Sequence, residues 1–277
     1  MSILHAIVLG LTQGFSEFLP ISSSGHLILV PWLLGWNDFS GNVALEKSFD
    51  VALHIGTLLA VCIYFARDIA KYLSAGAKAI AKRKVETDDQ RVALFIALTA
   101  IPGAIVGALL DDLITKHLGK PWIIGLMLIV FAGVIYAADR RSGSREVHEI
   151  RARDALWLGA AQTLALQPGV SRSGMTISAA RFSGFTRDSA ARLSFLMSLP
   201  ITGGAVAYKL AKLMSGDGIP TNAHTAFVVG IVASALSGLV AVGGLLRLIR
   251  TSSFTPFVVY RVMAGAGVLI LAATSFR

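Results

Sequence analysis

Six runs of about 18–24 mostly apolar residues, with the charges gathered between them, limit this chain more than any other feature. They fall near 49–66, 92–110, 121–138, 193–214, 224–247 and 256–275. Each is long enough as a helix to cross a hydrocarbon core of roughly 30 Å. A soluble α/β protein with buried parallel strands would show short apolar runs between charged helices, and that pattern is absent. Only 15% of the residues are charged and mean hydropathy is +0.69, against about a quarter charged in soluble domains. The expected class is an all-α polytopic membrane protein, one membrane domain over residues 1–277.

Charge placement sets the expected topology. The formal net charge is +9. The basic residues sit in short loops, as the positive-inside rule requires, rather than in a nucleic-acid-binding patch. The stretch 67–91, read as a loop, carries Arg67, Lys71, Lys78, Lys82, Arg83, Lys84 and Arg91. The stretch 139–153 carries Arg140, Arg141, Arg145, Arg151 and Arg153. Both are expected in the cytoplasm. The loop 111–120 balances Lys116 and Lys120 against Asp111 and Asp112 and is expected outside, as are both termini. The N-terminus lacks a basic leader and a small-residue cleavage site, so it is expected to be part of the fold. The single cysteine, Cys62, allows no internal disulfide and no cysteine metal cluster.

Two further apolar regions, about 3–36 and 155–185, are interrupted by polar, Gly/Pro/Ser-rich centres, and no half of either spans comfortably. They align with each other at an offset of 149. Leu9-Gly10 matches Leu158-Gly159, Gln13 matches Gln162, and Ser22, Ser24 and Gly25 match Ser171, Ser173 and Gly174. Three spans separate the copies, and an odd number inverts the second. The expected architecture is an inverted-topology repeat with halves near 1–138 and 150–277, each opening with a re-entrant helical hairpin. Apolar outer faces serve lipid and a second copy equally, which leaves room for a homodimer.

Non-helical backbone survives in a membrane only where protein or water covers it, so "EFLPISSSGH" and "LQPGVSRSGMT" are expected to meet in the interior. In each, serines and a glycine precede an apolar run, which marks a helix start with a hydroxyl cap. Two helix N-termini would then offer free N–H groups and positive dipole ends to one cavity. Arg172 adds a guanidinium fork that matches phosphate oxygens, so the expected ligand is a highly charged anion. An intramembrane arginine is a functional candidate by default. Gly169 and Gly174 read as backbone permissions. Gln13 and Glu17 share a helix face at i and i+4, an oxygen pair suited to Mg²⁺ or Ca²⁺. The alternative is Glu17 as the salt-bridge partner of Arg172. His26, just after the serines, is a candidate acid or base.

At these residues the chain resembles a known family. "QGFSEFLPISSSGH" and "PGVSRSGMT" are similar to the two signature motifs of the undecaprenyl pyrophosphate phosphatase family of the bacitracin-resistance type, and the likeness extends to "PFVVYR" near the C-terminus. Gln13 stands where many members have Glu, which removes one anionic metal ligand. The resemblance implies hydrolysis of a C55 isoprenoid diphosphate to the monophosphate and phosphate, in the bacterial plasma membrane, with the site facing outward. Carried onto matching positions, it implies Arg172 as diphosphate clamp, with Ser171, Ser173 and Thr176 as donors. Ser22, Ser24 and Gly169 are further substrate contacts, and Arg261 an extra phosphate contact. Glu17 with Gln13 would hold the metal, His26 would act as acid or base, and either Ser23 or an activated water would be the nucleophile. Inverted repeats with broken helices are also transporter architecture, so a carrier of polyprenyl phosphate or another anion is the competing expectation.

Overall fold

The computed structural model describes residues 1–39, 41–214, 219–274 and 276, and its named elements are all helical. In chain order they are α1 (Ile3–Phe18), α2 (Ser23–Leu34), α3 (Val43–Tyr64), α4 (Ala66–Lys82), α5 (Asp88–His117), α6 (Pro121–Asp139), α7 (Ala152–Leu164), α8 (Arg172–Phe182), α9 (Arg187–Met214), α10 (His224–Leu248) and α11 (Thr255–Ala273). Six of them, α3, α5, α6, α9, α10 and α11, are long and apolar enough to cross a membrane. They are the six runs read from the sequence. α3 begins six residues before its apolar run because its first turns are polar and Asn42 caps them, accepting from Leu45 N.

Two stretches differ from expectation. Much of the segment 67–91 is helix α4, not loop. Ile69 and Tyr72 turn inward onto the core that includes Val92 and Ile96 and Ala79 is buried, while Arg67, Lys71, Lys78 and Lys82 stay exposed. Its charges hide it from a hydropathy scan, although the 3.6-residue period is present. The expected loop 111–120 is helical through His117 at the end of α5. The side chains of Asp111, Asp112 and Lys116 lie outside the described residues.

The interrupted regions form two helical pairs, α1–α2 and α7–α8. The pairs have 16 and 12 residues, and 13 and 11 residues. At about 1.5 Å per residue, none of these helices reaches 30 Å. α1 packs on α10 and α7 on α5; α3 packs on α10 and α9 on α5; α6 pairs with α11, and α3 with α9. Small residues permit the close approaches. A Cβ on Gly10 would lie 2.6 Å from Gly230 O, and one on Gly159 would lie 2.8 Å from Thr99 O. Close backbone contact of this kind is how helices gain packing energy where lipid competes for apolar surface.

The two turns, Leu19–Ser22 and Ala165–Ser171, meet. Gly169 N–H donates to Ser22 Oγ at 3.0 Å, and Ser173 Oγ–H donates to Leu19 O at 3.1 Å. Arg261, from α11, is fully buried between them. Its guanidinium donates to Pro20 O of one turn at 3.2 Å and to Gly169 O of the other at 2.8 Å, and also to Met127 O and Leu128 O of α6. The expectation of Arg261 as a phosphate contact is corrected here: its donors are spent on carbonyls, and it fastens the turns together.

Replacing Arg261 by Met strips the side-chain donor from two buried turn carbonyls, at about 1–3 kcal/mol each. We expect a clear fall in the thermal unfolding temperature of the detergent-solubilised protein, with Arg261→Lys falling less.

Candidate active site

Ser22 and Ser171 shape the site through their backbone. Both have left-handed φ, +79° and +78°, rare for residues with a side chain. Both are N-caps: Ser22 Oγ accepts from Gly25 N and Ser171 Oγ from Gly174 N. The caps offset part of the strain, and the turned backbone aims the first residues of α2 and α8 at one space. That space is a cavity of about 260 Å³. Ser22, Ser23, Ser24, Ser171 and Arg172 line it from the two helix starts and Glu17 from α1. His54 lines it from α3, and Ile201 and Lys209 from α9.

Glu17 is the hub. Its Oε1 accepts from Arg172 Nη2 at 3.1 Å. Its Oε2 accepts from Ser23 Oγ at 2.6 Å and from Gln13 Nε2 at 3.2 Å. His54 Nε2 stands 3.8 Å from the same Oε2. Arg172 Nη1 also donates to Ser194 O at 3.0 Å, so the guanidinium is held in plane from both sides. Its Nε is buried without a partner, as is Gln13 Oε1. The arrangement joins a carboxylate that can accept a proton from Ser23, a rigid guanidinium and two positive helix ends. The alternative partner considered for Glu17 is realised: it pairs with Arg172.

Six of the anticipated residues reach the cavity: Glu17, Ser22, Ser23, Ser24, Ser171 and Arg172. Gln13 is buried behind Glu17. Ser173 is spent on Leu19 O, and its Oγ lies 3.2 Å from Ser171 Oγ. Thr176 donates to Arg172 O at 2.8 Å and sits 2.7 Å from Ser194 Oγ. Gly169 is pressed against α6, where a Cβ would come within 2.8 Å of Ile124 O. These three support the site rather than line it. His26 also departs from expectation. Its Nδ1 lies 2.7 Å from Ser22 O, and its Nε2 lies 2.6 Å from the Tyr260 hydroxyl, with the two rings stacked. Both ring nitrogens are engaged away from the cavity wall, so His26 positions the Ser22 turn.

His54 and Lys209 were not anticipated. Each is a polar residue inside an apolar run, the same signal that singles out Arg172, but neither lies in a motif.

Similarity to known proteins places the chain. A family described as "Bacitracin resistance protein BacA" matches residues 6–267. The chain belongs to that family. Among its relatives, a protein of Geobacter sulfurreducens named undecaprenyl-diphosphatase is 48% identical over 271 residues, 97% of this chain and 98% of that one. One of the same name from Pelobacter propionicus is 44% identical over 276 residues, 99% and 98% of the two chains. A third, from Desulforudis audaxviator, is 43% identical over 273 residues, 98% of each chain. The matched stretch includes every residue that lines the cavity and the shell behind it.

A buried ion pair costs most when half of it is removed. Arg172→Met is expected to destabilise the protein by about 3–5 kcal/mol. Glu17→Leu/Arg172→Met, which removes both charges, should recover part of that loss in thermal unfolding.

Proposed function

We propose that this protein hydrolyses undecaprenyl diphosphate to undecaprenyl phosphate and inorganic phosphate, recycling the lipid carrier of cell-wall synthesis. The observation that carries the proposal is the meeting of Arg172, the hydroxyls of Ser22–Ser24 and two helix starts in one cavity. The relatives named undecaprenyl-diphosphatases support the substrate.

In this reading the diphosphate enters the cavity and the isoprenoid leaves sideways past Val51, Ile201 and Val206, which form its apolar walls. Arg172 clamps the phosphoryl oxygens, and the ends of α2 and α8 stabilise the charge that spreads over them. Glu17 Oε2 takes the proton of the attacking hydroxyl. Attack by Ser23 Oγ on the terminal phosphorus breaks the anhydride bond, and the bridging oxygen leaves on the lipid monophosphate. Water then releases phosphate from the serine. Direct attack by water in the place of Ser23 Oγ gives the same products, and Glu17 serves both routes. Ser171, Ser173, Thr176, Gly169 and His26 hold the turns in register.

Gln13 and Glu17 fit a Mg²⁺ or Ca²⁺ ion in one respect: Gln13 Oε1 is a buried acceptor without a partner beside a carboxylate. Among the described residues no cluster of three or more His, Cys, Asp or Glu side chains is present. Substrate oxygens and water would therefore complete the shell, as is usual for Mg²⁺. Such an ion would neutralise phosphate charge.

We place the protein in the bacterial plasma membrane as an inverted repeat, with halves near 1–138 and 150–277, re-entrant α1–α2 and α7–α8 pairs, and the cavity facing outward. The supporting facts are paired. α1 and α7 begin 149 residues apart, as do α2 and α8. Their caps share the same unusual backbone, and α1 packs on α10 as α7 packs on α5. The cavity-lining residues named above come from one copy of the chain.

Phosphate release from undecaprenyl diphosphate by the purified protein tests the reading. Arg172→Ala should lower the rate by roughly 10²–10³-fold, and chelation should stop release until Mg²⁺ or Ca²⁺ is returned. A folded wild type that releases no phosphate would point to a carrier instead.

A further inference from the structure

His54 has a hydrogen-bonding arrangement that the phosphatase reading leaves unused. Its Nδ1 lies 2.7 Å from the backbone carbonyl of Asp50, one turn earlier in α3. A carbonyl only accepts, so Nδ1 carries a proton and donates it. Nε2 then points along the cavity wall, 3.8 Å from Glu17 Oε2. In a neutral imidazole that nitrogen is a bare lone pair. Two acceptors that face each other at this range are drawn together by something positive between them, either a second proton on the ring or a cation. Gln13 Oε1, buried and without a partner, lies on the side chain that touches the same Glu17 oxygen. An amide has nearly the same shape either way up; turned over, its oxygen stands beside Glu17 Oε2, the atom that His54 Nε2 faces.

A ring N–H tied to a backbone carbonyl, which fixes the tautomer and aims the other nitrogen, is how metal-binding histidines are commonly held. A 3.8 Å gap accepts an ion bound to both atoms at ordinary lengths of about 2.0–2.2 Å. We propose that His54 Nε2 is a ligand of a divalent cation shared with Glu17 Oε2 and Gln13 Oε1. This rests on the cation reading of the same site and changes its preference. One nitrogen and two oxygens suit a transition ion such as Mn²⁺ better than Ca²⁺, which takes six to eight oxygens. Glu17 Oε1 stays on Arg172, so one carboxylate ties the cation to the phosphate clamp. Gln13 supplies no charge, and the imidazole of α3 adds a strong ligand to the carboxylate of α1.

The probe is Mn²⁺ alone, added to the purified full-length protein and followed by electron paramagnetic resonance. Wild type is expected to bind it with the nitrogen coupling of one imidazole in pulsed spectra. His54→Leu should lose that coupling and bind about 10–100-fold more weakly. His54→Gln, close in size and with an oxygen ligand, should lose the coupling but keep more of the affinity, and it guards against a folding defect in the leucine variant. Binding without nitrogen coupling, coupling that survives in His54→Leu, or no binding at all would overturn the assignment in favour of an imidazolium–carboxylate pair. Phosphate release is scored separately. Release without nitrogen coupling sinks the His54 assignment alone. Coupling without release leaves the cation site standing and sinks the phosphatase reading.

Discussion

Everything in this structure depends on keeping two non-helical turns inside an apolar body. Backbone N–H and C=O groups there find no water, so each must be answered by protein. The answers come from a few side chains. Ser22 Oγ takes Gly169 N–H, Ser173 gives its proton to Leu19 O, and Arg261 holds Pro20 O and Gly169 O together. Because the partners come from the opposite helical pair or from α11, neither turn is satisfied alone. The same crossing brings Glu17 of the first half to Arg172 of the second. Solving the backbone problem therefore builds the site.

This explains why the signature residues divide into two kinds. Glu17, Ser22, Ser23, Ser24, Ser171 and Arg172 face the cavity. Gln13, His26, Gly169, Ser173 and Thr176 stand behind it, each bonded to a member of the first group or its backbone, and Arg261 fastens the turns through Pro20 O and Gly169 O. His26 and Tyr260 brace the Ser22 turn, and Thr176 braces Arg172 through its carbonyl and through Ser194. A positioned guanidinium and carboxylate are worth more to phosphoryl transfer than mobile ones, since that chemistry depends mostly on positioning and charge stabilisation.

Much of this was legible in the sequence, for a physical reason. Apolar runs of span length and broken apolar regions leave few alternatives in lipid, so the six long helices and the two short pairs follow from hydropathy. The meeting of the two turns follows from the rule that such backbone must be covered. What could not be read is which face of a short helix a residue takes. Ser173 and Thr176 lie within four residues of Arg172 yet turn into the protein. Arg261 was expected at phosphate because the family resemblance extends to its "PFVVYR" stretch, and its acceptors are carbonyls. His54 and Lys209 sit in long apolar helices with no motif around them, and only the folding of α3 and α9 against the cavity brings them to it. Helix α4 escaped because its charged face dominates its average.

The central claim is that the two turns form one diphosphate site. The most direct measurement is the structure of the protein with a non-hydrolysable isoprenyl methylenediphosphonate. The account predicts the phosphonates between Ser22–Ser24 and Ser171–Arg172, with the isoprenyl chain leaving between α3 and α9. An analogue seated instead in the hollow lined by Asp88, Arg91, His148 and Arg151, with the space between the turns unchanged, would contradict it.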